Sequence, residues 1–271
     1  MLIFFTIGAC AGPDAYLSGR KTAEFFYKKA NKDLKDGMYP EALAGFAEVK
    51  AKYPYSKYAI LADLRIADTH YARGKFIEAI DAYKQFIKMH PAHPEIPYCR
   101  WRIAEAHVKQ APEEWWFMPP VAEKDQADIQ NAIAAYQELI DSHAASEYVK
   151  KAQKKIITCR RRLANHELYV ANFYWNNEKW RAAAARAEGL VQNYQDVGLE
   201  AQALLLAALA RKNAKEPELA RNDAQKLVEK FPNSNEAQTG RILLQDLPTP
   251  SKSAKPKTET STSQKIPATG E

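Results

Sequence analysis

Arg73-Gly74-Lys75-Phe76-Ile77-Glu78-Ala79-Ile80-Asp81-Ala82-Tyr83-Lys84-Gln85-Phe86 is the stretch that decides the fold. Ala79, Tyr83 and Phe86 stand at i, i+4 and i+7, a spacing that puts three side chains on one helical face. The small Ala79 lets an antiparallel helix approach closely, while the bulky residue fills the space beside it. Gly74 accepts the left-handed conformation that closes the preceding helix, and Pro91 breaks the chain after the following one. A two-helix hairpin is the unit these residues specify.

The same trio recurs as Ala42-Phe46-Val49, Ala132-Tyr136-Leu139, Ala183-Ala187-Leu190 and Ala220-Ala224-Leu227, each followed by a break, at Pro54, Ala144, Gln195 and Pro232. Pro54 and Pro91 are 37 residues apart, as are Gln195 and Pro232, close to the roughly 34-residue period of tetratricopeptide (TPR) arrays. The pattern predicts an all-α protein, a right-handed superhelical stack of about five TPR-like helical hairpins (an α-solenoid). The middle intervals are longer, so units three and four are enlarged. Unit one repeats the turn as Asp36-Gly37-Met38-Tyr39; unit four has Glu178-Lys179-Trp180, and unit five has Lys215 where glycine is expected, so the later repeats are degenerate. The stretch 147–175 contains no Gly or Pro and predicts one helix of about 29 residues, roughly 43 Å long.

Composition agrees with helix. The 271 residues are 46% hydrophobic and 27% charged, with only 10 Gly, and a chain of this length can bury a sizeable core without a disulfide scaffold. The formal charge of +6 comes from residues scattered along periodic helices with acidic neighbours three or four positions away, which reads as a solvated surface. Arg160-Arg161-Arg162, following Lys154-Lys155, is the densest basic run and leaves a basic partner-facing surface open on the long helix. No aromatic interleaving accompanies it, and nucleic acid is not an expected partner.

Residues 1–9 are apolar, and Ile7-Gly8-Ala9-Cys10 resembles a lipobox, the site at which bacterial signal peptidase cuts before a lipid-modified cysteine. The segment is too short to span a bilayer, which takes about 20 apolar residues. It lacks the basic n-region of a signal peptide, so either its start is truncated or it is an apolar terminus with an incidental cysteine. Acyl chains on Cys10 would hold the protein on a membrane surface, each buried CH₂ contributing about 0.8 kcal/mol. Residues 10–22 then form a linker, 23–245 the five repeats, and 246–271 a disordered tail rich in Pro, Ser, Thr and Lys. The insertion at 111–127 carries Trp115, Trp116 and Phe117 between prolines. These aromatics either fold back on the array as a plug or offer a partner an anchor of the kind that dominates many interfaces.

A search for chemistry finds no catalytic constellation. His166-Glu167 begins like H-E-x-x-H, but Val170 stands where the second histidine would be. His90 and His93 flank Pro91 in a turn without neighbouring ligands at metal-site spacing. Cys99 and Cys159 fall on predicted helices, as small buried hydrophobes or as a disulfide if their Cα atoms come within about 7 Å. Neither a phosphate loop nor a G-x-S-x-G elbow is present, so the expectation is a non-enzymatic protein without cofactor or metal.

Three stretches go beyond a generic repeat. Lys52-Tyr53-Pro54-Tyr55-Ser56-Lys57-Tyr58-Ala59, then Phe86-Ile87-Lys88-Met89-His90-Pro91-Ala92-His93-Pro94, resemble the BamD family of outer-membrane protein assembly lipoproteins. Most specific is Leu163-Ala164-x-His166-Glu167-Leu168-Tyr169-Val170-Ala171-x-Phe173-Tyr174, ending in Arg186-Ala187-Glu188-Gly189-Leu190. The resemblance implies a scaffold lipid-anchored at Cys10 on the periplasmic face of the outer membrane. It implies three kinds of partner: a BamA-type barrel protein, other assembly lipoproteins and unfolded β-barrel precursors. It further implies that Arg186, with Glu167 and Tyr174, contacts the BamA-type protein, and that Tyr39, Tyr55 and Tyr71 lie in repeats used for precursors. Departures are the larger Trp115-Trp116-Phe117 loop and Tyr194-Gln195 in place of Tyr-Pro. A TPR lipoprotein of another envelope process, such as pilus assembly, cell division or secretion, shares the compositional features, and only the third stretch discriminates.

Overall fold

The computed structural model describes residues 22–112 and 125–248. These contain eleven α-helices and no strand: α1 (Ala23–Lys35), α2 (Tyr39–Lys52), α3 (Lys57–Ala72), α4 (Phe76–Met89), α5 (Ile96–Gln110), α6 (Ala127–Ser142), α7 (Tyr148–Asn176), α8 (Trp180–Asn193), α9 (Glu200–Asn213), α10 (Pro217–Lys230) and α11 (Asn235–Asp246). The protein is thus all-α and built of TPR-like hairpins, with α7 a single helix of 29 residues over the stretch free of Gly and Pro. α11 continues through Asp246, and Leu247 after it is buried, so ordered packing runs slightly past the expected start of the tail.

All five trios are buried to 1% exposure or less. A second regularity links each trio to its turn. The amides of Ala42, Ala79, Ala183 and Ala220 donate to the carbonyls of Met38, Lys75, Lys179 and Glu216, the residues that open the helices. The turns before them close by one scheme: Gly37, Gly74, Glu178 and Lys215 donate to Leu34, Tyr71, Trp175 and Lys212. All four have positive φ, including the non-glycines Glu178 (58°) and Lys215 (62°). The degenerate repeats therefore keep the turn and accept the left-handed strain that glycine avoids.

The chain divides into two compact units. In unit 1 (Met1–Val170 and Gln192–Leu199), successive cores form around Phe46, around Tyr83 and Phe86, and around Tyr136 and Leu139. Unit 2 (Ala171–Val191 and Glu200–Glu271) has smaller cores built largely from alanine, among them Ala171-Ala187-Ala207 and Ala208-Ala220-Ala224. Ala187 and Ala224 replace the aromatic of the trio, so less apolar area is buried per contact there. Cys99 and Cys159 are free, each buried in a different core, and make no disulfide.

Candidate functional site

Charged residues inside unit 1 repeat with the fold. Asp68 on α3 is buried and accepts hydrogen bonds from Tyr83 Oη (2.5 Å), Tyr98 Oη (2.8 Å) and Arg65. One repeat later, Glu105 on α5 accepts from Tyr136 Oη and pairs with Lys155 Nζ at 2.9 Å. Asp68 and Glu105 are 37 residues apart, as are Arg65 and Arg102. Arg102 donates to Tyr83 Oη (3.2 Å) and lays its guanidinium 3.5 Å from the centre of the Tyr71 ring. Burial, reinforced by the carboxylates, pushes the phenols of Tyr83, Tyr98 and Tyr136 far above their ordinary range, so they serve as fixed donors.

The three tyrosines expected near precursors do not converge. Tyr71 is half-buried, held between Arg102 and Phe76. Tyr39 opens α2 and is half-buried, whereas Tyr55 follows the far end of that helix and is fully exposed. At 1.5 Å per residue the two ends of α2 are about 20 Å apart.

Each arginine of the basic run on α7 bonds to an acceptor within unit 1, although Arg161 stays exposed. Arg160 chelates Asp196 at 2.7–3.0 Å and donates to the Asn193 carbonyl; Arg161 donates to the Val197 carbonyl. Arg162 donates to Gln126 Oε1 (3.1 Å) and the Pro112 carbonyl (2.7 Å), two residues near the ends of the 111–127 insertion. The guanidinium carries several donors in fixed directions, so one arginine can hold a side-chain acceptor and a backbone carbonyl at once. Trp115, Trp116 and Phe117 lie outside the described residues, as does Cys10. Beside Arg162 is a cleft of about 220 Å³ lined by Asp125, Gln126, Gln130, His166, Glu167 and Tyr194. Glu167 is half-buried there; burial and its charge raise the Tyr194 phenol.

In unit 2, Arg186 is exposed on α8, while Tyr174 is half-buried against Ala183, Ala184 and Ala210. Tyr174 also meets Phe173 edge-on, with ring centroids 5.9 Å apart, and Phe173 is 55% exposed. Gly189, three residues after Arg186, has open space where a Cβ would stand. Behind this surface Arg211 is buried between Glu188 (2.6 Å) and Asp223. These two ion pairs tie α8, α9 and α10 together, and no spacing in the sequence announced them. Among the described residues no helix is long and apolar enough to cross a membrane.

The chain is 25% identical over 229 residues to the outer membrane protein assembly factor BamD of Neisseria gonorrhoeae, covering 83% of this chain and 85% of that one. It is 26% identical to the protein of the same name from Xylella fastidiosa, over 78% and 73% of the two chains. Among solved structures, the TPR2AB-domain:pHSP90 complex of yeast Sti1 matches with TM-score 0.43 and 17% identity, over 82% of this chain and 83% of that one. The family model described as outer membrane lipoprotein, YfiO, matches residues 20–227, and the chain belongs to that family.

Proposed function

We propose that this protein is a non-enzymatic scaffold of outer-membrane protein assembly, anchored by lipid at Cys10 to the periplasmic face of the outer membrane. On this reading it binds a BamA-type barrel protein, works beside other assembly lipoproteins and receives unfolded β-barrel precursors. The observation that carries the proposal is the match to relatives named BamD over about four-fifths of the chain, at 25% identity. The exposure of Arg186 supports its assignment as a partner contact, as does the open space at Gly189 beside it on α8. Glu167 and Tyr174 belong to the same proposal, Glu167 from its cleft and Tyr174 through the exposed Phe173 it supports.

The test is direct binding of the purified periplasmic region of the host's BamA-type protein to the full chain. Arg186→Glu is expected to weaken binding at least about tenfold, whereas Lys154→Glu, an equal change of charge on an exposed part of α7, leaves it nearly unchanged. Arg162→Glu is not a suitable control, because Arg162 holds Pro112 and Gln126 in place. Equal losses in Arg186→Glu and Lys154→Glu would reduce the contact to general electrostatics and remove Arg186 from the site.

A further inference from the structure

A groove of about 420 Å³ runs between α1 and α2, the first hairpin of unit 1. Ala30, Ala44 and Gly45 line its narrow part, where the helices approach so closely that a Cβ on Gly45 would stand 2.8 Å from that of Ala30. Lys29, Asp33 and Glu41 line it as well. Asp33 is the costly member. It is nine-tenths buried, at 9% exposure, yet among the described residues its carboxylate accepts no hydrogen bond and joins no ion pair. It also stands in the last turn of α1, where the helix end is already negative. A buried carboxylate without a partner costs free energy that a neighbouring cation recovers.

The next repeat shows what such a face meets. Moving 37 residues along, Phe25, Phe26 and Lys29 of α1 become Ala62, Asp63 and Ile66 of α3. Ala62 and Ile66 pack in the Phe46 core of the first hairpin, and Asp63 pairs with Lys50 of α2 at 2.5 Å. In the second hairpin, therefore, a helix covers this face and brings a lysine to a carboxylate. On the first hairpin the same positions are open among the described residues: Phe25 is 48% exposed, and Lys29 is exposed. Charge points to the same kind of ligand. Glu48, the remaining carboxylate of the groove, is held by Lys52 at 2.6 Å, which leaves Asp33 and Glu41 with Lys29 as the one cation of the lining.

We infer that the α1–α2 groove docks a helix of another protein, one that carries a lysine on an apolar face and sets its ammonium between Asp33 and Glu41. Such a helix extends the array by one layer, in the way α2 covers the second hairpin. Residues 1–21 do not supply that cation. Their basic residues are Arg20 and Lys21, tied to the start of α1, whereas Asp33 lies about 15 Å along that helix at 1.5 Å per residue. This goes beyond the scaffold reading and does not depend on it.

Two measurements on the full chain test this. In thermal unfolding of the purified protein, Asp33→Asn removes the unpaired charge and should raise Tm by about 2–4 °C. Ala44→Arg builds a cation into the groove three residues after Glu41 and should raise it too, whereas Ala47→Arg, exposed on α2 outside the groove, should not. In detergent-solubilised membranes of the host, zero-length carbodiimide coupling of the tagged chain, read by mass spectrometry, joins lysine amines only to carboxylates in direct contact. The expected result is coupling of Asp33 or Glu41 to a lysine in a helix-forming segment of another protein, with the yield at Glu41 falling severalfold in Ala44→Arg and holding in Ala47→Arg. A fall in Tm for Asp33→Asn, or equal yields in the two arginine variants, would overturn the inference. So would coupling to a proline-rich segment of the other protein, or coupling confined to lysines of this chain, which would assign the groove to its own residues.

Discussion

Tyr83 Oη donates to the buried carboxylate of Asp68 at 2.5 Å, and one repeat later Tyr136 Oη donates to Glu105 in the same way. In these two repeats the aromatic that fills the hairpin also donates a hydrogen bond to a carboxylate on the helix before it. Asp68→Ala leaves Tyr83, Tyr98 and Arg65 without their acceptor and should cost about 3–5 kcal/mol, while Tyr83→Phe should cost about 1–3 kcal/mol. Urea unfolding of both single variants and the double variant measures this. Additive losses would mean that the two groups do not act as a pair.

The left-handed turns at Glu178 and Lys215 predict a gain from glycine. A non-glycine residue at positive φ costs about 1–2 kcal/mol, part of which glycine returns through the greater freedom of its unfolded chain. Lys215→Gly should therefore stabilise unit 2 by about 0.5–1 kcal/mol, whereas Gly74→Ala should destabilise unit 1. Thermal unfolding decides the sign in each case.

Gly45 and Gly189 answer alanine differently. A Cβ at Gly45 would lie 2.8 Å from Ala30 Cβ, and both atoms are held by helix backbone, so Gly45→Ala should cost about 1–3 kcal/mol through overpacking. Around Gly189 nothing lies within 4 Å, and Gly189→Ala should gain up to about 1 kcal/mol of helix propensity. A variant at 189 that is more stable yet binds the BamA-type protein less well would mark this surface as a close contact with the partner.

Much of the fold was legible because apolar residues declare their period. The trios, the breaks after them and the long α7 follow from spacing alone. Charged residues declare nothing of the kind. Arg65 and Asp68 sit mid-helix like any solvated pair, and only their recurrence as Arg102 and Glu105, at the 37-residue interval of the breaks, signals a shared internal role. The run Arg160-Arg161-Arg162 reads as surface because its acceptors are largely backbone carbonyls, at 112, 193 and 197, which carry no mark in sequence. In the candidate site, Arg186 rests on family resemblance alone and is a proposal, whereas the hold on Tyr71 depends on Arg102, which no spacing in the sequence marked.

Arg160 and Arg161 fix the short turn Gln195–Val197, and the Arg160 guanidinium holds the Asp196 carboxyl below the usual carboxylate range. A depressed carboxyl contributes its stabilisation above its unfolded pKa and loses it as pH falls through the folded value. Hydrogen exchange at residues 193–198 should therefore be slow at neutral pH and accelerate as pH drops below about 4, after correction for intrinsic rates. Arg160→Ala should show the fast exchange already at pH 7.

The two described cysteines should be inert in the folded protein. Burial pushes the Cys99 thiol up to about 12 and the Cys159 thiol up to about 11, so neither forms appreciable thiolate at pH 8. Alkylation by iodoacetamide should spare both in buffer and modify both in urea. Because these values are raised, their stabilisation is present below the unfolded thiol range and is lost as pH climbs toward the folded values.

The central claim is that this chain works as a lipid-anchored scaffold beside a barrel protein. Its most direct test is affinity purification of the tagged full-length protein from detergent-solubilised membranes of its host, with mass spectrometry of the bait and of everything retained. The account predicts a mature N-terminus at Cys10 carrying acyl chains and a stoichiometric BamA-type barrel protein. A lipidated bait accompanied by pilus, division or secretion proteins and no barrel protein would contradict it.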